Sequence, residues 1–432
     1  MRVGVIGGGI GGLCLAQGLR KAGIEVAVYE RDRTPESRLQ GFRLNIEPIG
    51  GTALHACLPP ALWAVLVATA GDSGRGIGFL DEQMRSMILV GRDGEAPLDP
   101  LDPATGEHAV SRVTLRRLLL AGVQDVVHFG KEFTSFTSGP DGTVSAHFAD
   151  GTRAEADVLV AADGANSRAW AQLHPEAGQI ELPAVAVGGK LYLDEETLGW
   201  LPDTLLSGKN IFWPRRDFLF TAVFRRRENP ESVVDRLGPE LRALGLDPGR
   251  LLTESTDRDY VMWAYIAHRD SMPADFSRLP PEDAHATLAG RTKRWHPALH
   301  RLITSSYPDD LFQTAFTAAR PLSLGPATNV TGLGDAVHHM PPVGGLGGNT
   351  ALRDAQHLCA ALTAVHSGQR ELSDALTEYE QEMVKHGFAT VRESVRNTEG
   401  AITRNRVVRT AARTFFRTCG AIPPLGRAVF AA

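Results

Sequence analysis

The stretch from Val3 to Glu30, VGVIGGGIGGLCLAQGLRKAGIEVAVYE, constrains the fold more than any other. Val3–Ile6 is a short apolar run of the kind that forms a strand buried on both faces. Gly7, Gly9 and Gly12 follow in G-x-G-x-x-G spacing. Leu13, Ala16, Leu19 and Arg20 continue at helical spacing, Gly23 stops the helix, and Ile24–Tyr29 is a second apolar strand ending at Glu30. Strand, glycine turn, helix, strand and acid in this order predict a dinucleotide-binding βαβ unit. The first glycine permits the tight turn, the second admits a pyrophosphate to the backbone, and the third lets the helix lie close to the strand. The helix start offers free N–H groups and a positive dipole end to phosphates. Glu30 is placed to accept hydrogen bonds from an adenosine ribose. The predicted contacts here are Gly7, Gly9, Ile10, Gly11, Gly12, Leu13, Glu30 and Arg31. A glycine-rich loop in some other α/β domain is the alternative.

At 432 residues, with 43% hydrophobic and 22% charged residues, the chain can bury a sizeable core as one large or two fused domains. A formal net charge of −5 gives no reason to expect a nucleic-acid partner. The apolar N-terminal run does not read as a signal peptide, because the glycines and Glu30 account for it and only Arg2 precedes it. No run of about 18 or more apolar residues predicts a membrane span. Cys14, Cys57, Cys359 and Cys419 are far apart and form no metal spacing, which predicts a reducing, cytoplasmic setting. Oligomeric state is not legible.

Further along, Gly41-Phe42-Arg43-Leu44-Asn45 follows a polar link, and helical spacing resumes at Ala53–Ala68. Ser111 reads as the N-cap of a helix over Arg112–Ala121. A buried strand at Ala156–Ala162 ends in Asp163-Gly164-Ala165-Asn166-Ser167-Arg168. Residues 180–330 change to aromatic and β-branched runs, at Ala184–Leu193, Asn210–Trp213, Phe218–Phe224 and Tyr260–Ala267, which predict an inserted, largely antiparallel sheet. Asn329–Leu333 reads as a returning core strand, followed by a helix at Asn349–Val365 and helices near Leu372–Val395 and Ala401–Thr418. In the last of these, Arg404, Arg406, Arg409, Arg413 and Arg417 are expected to be solvated, with Val408, Ala412 and Phe415–Phe416 packed on the body. A helix lying on a membrane is the alternative.

The decisive stretch is Gly332–Asn349, where a strand ends in Gly334-Asp335, a Pro-Gly loop follows and a helix begins. With its glycine motif, Asp163-Gly164 and Gly334-Asp335 in this order, the chain resembles the single-component flavoprotein aromatic hydroxylases, the p-hydroxybenzoate hydroxylase class. The third motif of that family, G-D-x-x-H-x-x-x-P-x-x-G-x-G-x-N, is matched by Gly334, Asp335, His338, Pro342, Gly345, Gly347 and Asn349. The resemblance covers about residues 1–365. It implies an α/β fold: an FAD-binding, Rossmann-like domain of the glutathione-reductase type, an inserted mostly antiparallel substrate sheet and C-terminal helices. The expected divisions are 1–179, with a substrate-side segment near 71–110, then 180–325, 326–365 and 366–432.

The resemblance implies roles for single residues. Arg43 would stand near the mobile flavin edge and Arg112 near the pyrophosphate and ribityl chain. Asp163 would serve FAD binding and the nicotinamide approach. Asp335 would hold the ribityl hydroxyls or pyrophosphate, and Pro342, Gly345, Gly347, Gly348 and Asn349 would lie by the isoalloxazine. Leu346 departs from the glutamine common in this loop. His338-His339 read as structural or flavin-adjacent, since no Glu or Cys completes a metal spacing. With one dinucleotide fingerprint, NAD(P)H is expected as a transient co-substrate, with O2 activated on FAD as a C4a-hydroperoxide. No protein residue is assigned as catalytic, because the flavin carries the chemistry. Tyr192, Phe212, Phe220 and Met262 are the expected substrate contacts, suiting an aromatic or indole-like secondary metabolite. Epoxidation and Baeyer–Villiger oxidation are the alternatives. A halogenase is disfavoured because Trp263 is followed by Ala264-Tyr265-Ile266 instead of W-x-I-P, and a non-enzymatic flavoprotein is the remaining class.

Overall fold

The computed structural model describes residues 1–38, 42–72, 74, 76–91, 99–252 and 258–430; Gly41 and part of the 71–110 stretch lie outside them. The chain begins with β1 (Arg2–Ile6), α1 (Ile10–Lys21) and β2 (Glu25–Glu30), the predicted unit. Next come β3 (Arg43–Ile46), α2 (Pro48–Cys57), α3 (Pro60–Thr69), β4 (Gly71–Asp72), β5 (Ile77–Leu80), β6 (Ser86–Val90), β7 (His108–Ser111) and α4 (Arg112–Leu120). β8 (Val127–Phe129), β9 (Phe133–Ser138), β10 (Val144–Phe148), β11 (Arg153–Ala156), β12 (Val158–Ala161) and α5 (Arg168–Leu173) follow. The remaining strands are β13 (Gln179–Tyr192), β14 (Lys209–Phe212), β15 (Phe218–Phe224), β16 (Tyr260–His268), β17 (Phe312–Ala319) and β18 (Val330–Gly332). Three long helices close the chain, at Leu346–His366, Leu372–Ile402 and Arg406–Ala421, with a short one at Pro423–Phe430.

Two sheets position the site. The first has the order β18-β12-β1-β2-β8, and every pairing in it is parallel. The central strands β1, β12 and β18 are buried on both faces, β12 at every residue, which is why they read as unbroken apolar runs. The returning strand β18 pairs with β12, so Asp335 and Asp163 lie at the same end of neighbouring strands as the glycine turn after β1.

The second sheet has the order β17-β13-β16-β15-β14-β5-β6. It is antiparallel except where β14 runs parallel to β5. One face carries Val185, Leu219, Val261, Trp263 and Tyr265 and is closed by Leu288, Leu299, Leu302 and Ile303 from two helices. The opposite face carries Ala184, Ala186, Phe218 and Ile266, packed with Met340 and with Phe388 and Val391 of the Leu372–Ile402 helix.

The last long helix corrects part of the sequence reading. Arg409 is 3% exposed, and its guanidinium donates to the carbonyls of Pro214, Asp217, Ala401 and Thr403. Arg413 and Arg417 turn onto Asp81 and Glu82. Val407 and Phe415 face outward, 77% and 47% exposed, and Val408 is also exposed. Carbonyls and two carboxylates on the facing surface recruit Arg409 and Arg413, whereas Arg404 and Arg406 are exposed as expected and Arg417 stays half-exposed. Phe416 alone of the predicted apolar contacts stacks on the body, against Phe79 at 4.6 Å.

A candidate flavin and substrate site

The glycine turn is built from steric necessity. Gly7 has φ +111°, and a Cβ there would stand 2.3 Å from the Ala162 carbonyl oxygen. A Cβ on Gly12 would stand 2.2 Å from the Gly7 oxygen, so α1 lies hard against the turn. Gly11 makes room for Leu333, the residue after β18. Gly9 is exposed, and a Cβ there meets nothing within 4 Å. The first α1 N–H groups, which have no carbonyl one turn back, therefore open onto free space. Leu13 is corrected: its side chain is fully buried and its N–H donates to the Gly9 oxygen, so it offers nothing to a cofactor. Ile10 is half-buried.

Glu30 is 4% exposed and accepts from the N–H groups of Gly8 at 2.7 Å and Asp32 at 2.9 Å. The acid thus stands directly beside the turn, while Arg31 is exposed. Asp163 holds its own loop: Oδ1 accepts from the Ser167 hydroxyl at 2.5 Å and Oδ2 from the Arg168 N–H at 3.0 Å. Burial pushes its carboxyl above the ordinary range, although those hydrogen bonds pull the other way.

Asp335 follows Gly334, whose φ of +62° turns the chain out of β18. Its side chain is 51% exposed at the bottom of a groove. Enclosure raises the carboxyl pKa, but His339, His338 and Arg112 bring the net shift below the ordinary range. Oδ1 of Asp335 is 3.7 Å from where a Cβ on Gly347 would stand, and a Cβ on Gly348 would meet nothing within 4 Å. Pro342 and Gly345 are exposed on the same loop. Asn349 is 3% exposed and serves as a brace: its amide donates to the carbonyls of Asn45 and Gly345, and its Oδ1 accepts from the Glu47 N–H at 3.0 Å. That brace joins the loop to β3, where Arg43, 7% exposed, lies opposite Ser111 of β7, next to Arg112. Residues some 300 positions apart in sequence are thereby assembled around one groove.

The sheet face toward this loop has two ordered rows. Lys209, Ala222, Met262 and Lys190 are consecutive partners across β14, β15, β16 and β13. Beside them run Ile211, Phe220, Ala264 and Gly188. Phe220 and Ile211 pack against the same buried cluster, around Ala186, Phe218 and Met340, as Val343 and Leu346 of the loop. Three strand spacings separate the two lysines by roughly 14 Å, with small or flexible residues between them. The Lys190 ammonium stands 4.7 Å from the Tyr260 ring and 5.4 Å from the Phe42 ring. Tyr192 and Met262 pack near Tyr260 and Phe224 on this face, and Arg258 lies 4.2 Å over the Tyr192 ring. Phe212 is corrected: with no exposed surface, it belongs to the opposite face. Side chains alternate along a strand, so its neighbour Ile211 takes the inner position.

Sequence reasoning missed Asp354. It is fully buried and accepts from the Gly334 N–H at 3.1 Å, and the His338 ring meets it at 2.6 Å. His338 is thus structural. Burial lowers its pKa, but the Asp354 charge and hydrogen bond outweigh that and hold it above the ordinary range. No group among the described residues could hold a metal ion, and no helix is long and apolar enough to cross a membrane.

The donor set fits FAD: an acid beside the glycine turn, an open helix start at Gly9, a half-exposed aspartate and a glycine loop with space beside Gly348. The chain matches the model of an FAD binding domain over residues 320–394 and of an NAD(P)-binding Rossmann-like domain over 5–66. A crystal structure from Photorhabdus luminescens subsp. laumondii, of a protein described as an FAD-containing monooxygenase, is 30% identical with a TM-score of 0.80, covering 93% of this chain and 98% of that one. The dual O-methyltransferase/FAD-dependent monooxygenase elcB of Phaeosphaeria nodorum is 29% identical over 427 residues. That match takes in 90% of this chain but 45% of elcB, so the chain spans about half the length of this relative. The FAD-dependent urate hydroxylase of Klebsiella pneumoniae is 28% identical over 386 residues, covering 88% of this chain and 85% of that enzyme. These matches and the assembled groove identify the chain as a member of the FAD-dependent monooxygenase family.

Proposed function

We infer that this chain hydroxylates a flat aromatic or indole-like small molecule of the secondary-metabolite kind, with NAD(P)H as a transient co-substrate and O2 as the oxygen source. The observation that carries this reading is the sheet face opposite the Asp335 groove, where Ala222, Met262, Phe220, Ala264 and Gly188 make a broad apolar floor between Lys190 and Lys209. Support also comes from the urate hydroxylase, a relative named for a flat heterocycle.

Bound FAD would supply the redox chemistry, accepting hydride and delivering an activated oxygen. Glu30 and the α1 start would hold its adenosine and pyrophosphate. Asp335 would bind polyol hydroxyls, with Arg112 near enough to act on the same region. N–H groups at the start of the Leu346–His366 helix would stabilise negative charge on the bound cofactor. Phe220, Met262 and Val343 would keep water from the reacting centre. Arg43 and Asp163 are assigned to the approach of the flavin edge and the nicotinamide.

The test is the absorbance spectrum of the purified protein, then anaerobic reduction with NAD(P)H and admission of O2 in the presence of aromatic compounds. A two-banded yellow spectrum that bleaches with NAD(P)H, with labelled O2 entering an aromatic product, is the expected result. A colourless protein that takes up no added FAD overturns it, and NAD(P)H consumption yielding only hydrogen peroxide overturns the hydroxylase assignment.

A further inference from the structure

We propose that the substrate is an aromatic acid and that Lys190 is the residue that recognises its carboxylate. The proposal rests on the aromatic-hydroxylase reading above. Side chains alternate along β13, so Gly188, Lys190 and Tyr192 share the inner face of the sheet. All three are half-buried, whereas Val187 and Leu191 on the other face are buried against the covering helices. The same contrast holds on β16, where Met262 and Ala264 are half-buried and Val261, Trp263 and Tyr265 are fully buried. The outer face is sealed and the inner face lines open space. Two rings fix where the Lys190 ammonium stands in it. It lies 4.7 Å from the centre of the Tyr260 ring and 5.4 Å from that of Phe42. Phe42 roofs this end of the floor: a Cβ on Gly188 would stand 3.4 Å from its ring, and Phe312, the β17 partner of Gly188, meets it edge-on at 6.3 Å. Phe42 immediately precedes β3, whose Asn45 carbonyl accepts from the Asn349 amide at 2.9 Å. The ammonium therefore stands where the substrate floor meets the strand tied to the flavin loop.

Electron-rich ring faces hold a cation in place but carry no countercharge. Lys190 thus brings a positioned positive group to the edge of an otherwise apolar floor. A carboxylate on the rim of a flat ring would meet it in a charge-assisted hydrogen bond while the ring lay over Met262, Ala264 and Gly188. A carboxylic acid is favoured over a phenol because it is ionised at neutral pH unaided, whereas a phenol of pKa about 10 is not. Arg258, exposed at the rim and 4.2 Å over the Tyr192 ring, shares its charge with Asp194 and draws anions toward this end.

The test titrates FAD-loaded protein with benzoate and naphthoate and with their uncharged amides, binding being read from the shift of the flavin spectrum. The native protein is expected to bind each acid about tenfold or more tightly than its amide, the discrimination given by a hydrogen bond to a charged group. Lys190→Met is expected to abolish that preference by weakening the acids alone, with amide affinity and flavin content unchanged. Lys190→Arg is expected to keep it. Should Lys190→Met take up no flavin, the uncharged but polar Lys190→Gln stands in its place. Equal affinity for acid and amide in the native protein, or a preference that survives in the Met or Gln variant, overturns the role of Lys190 and leaves the aromatic reading standing. Failure of every one of these probes to move the native flavin spectrum overturns that reading and the role of Lys190 with it.

Discussion

Two carboxylates divide the labour at the cofactor groove, and their surroundings differ. Glu30 is buried and already accepts two backbone N–H bonds, so it shapes the turn as well as facing it. Asp335 is half-exposed, with no comparable duty beyond His339 at 4.0 Å. Asp335→Ala is therefore expected to weaken FAD binding by roughly tenfold to a hundredfold, the loss of a hydrogen bond to a charged group, with little change in fold, read by flavin titration of the apoprotein. Retention of full flavin affinity would sink that assignment. Glu30→Ala is expected to weaken FAD less and to lower the melting temperature as well. Unchanged FAD affinity in that variant would mean the adenosine end is misassigned.

The elements that carry these residues are tied together by buried polar contacts. His338 and Asp354 join the short Asp335–His338 helix to the long Leu346–His366 helix, and Gly387 leaves room for the imidazole, which a Cβ would meet at 2.4 Å. Removing one member strands the other in the core. Asp354→Asn is expected to cost about 3–5 kcal/mol of stability and to loosen flavin through Gly334, measured by denaturant melts with and without FAD. The Arg406–Ala421 helix depends on the Arg409 fork. Arg409→Ala is expected to expose the segment between Thr403 and Arg406 to limited proteolysis while flavin content holds. Resistance equal to the native protein would show that the Phe79–Phe416 stack suffices.

For the whole molecule, two buried groups set the same pH trend. Burial raises the Glu380 carboxyl to about 7 from an ordinary 4.5. The folded state therefore holds its proton more tightly than the unfolded chain, and stability falls as pH rises from 4.5 through about 7. His338, also raised, contributes stability that is complete below an unfolded pKa of about 6.5 and is lost as pH climbs through its higher folded value. Stability is expected to peak in mild acid and decline toward about pH 8. Glu380→Gln is expected to remove much of that decline, visible as a higher melting temperature at alkaline pH and little change in acid. A flat profile in the native protein would contradict both assignments.

The sequence alone determined the nucleotide-binding unit, the Ser111 cap, the position of the returning strand and the pairing of Gly334-Asp335 with a glycine loop. These rest on local rules: side-chain periodicity over a turn or two, positive φ at glycine, and caps within three residues. The tertiary structure decided what local rules leave open. Cys14, Cys57 and Cys359, distant in sequence, crowd one helix crossing, where a Cβ on Gly18 would stand 2.7 Å from the Cys359 sulfur and 3.1 Å from that of Cys57. Phe212 and Ile211 are equally apolar, and only the layers packed on each face choose which of them looks toward the loop. Arg409 and Arg413 of the last long helix turned inward because carbonyls and carboxylates from residues 81–82 and 214–217 waited there. Long-range partners of this kind, Asp354 for His338 and Asn349 for Glu47 among them, leave no periodic trace, because their geometry exists only once the chain has closed on itself.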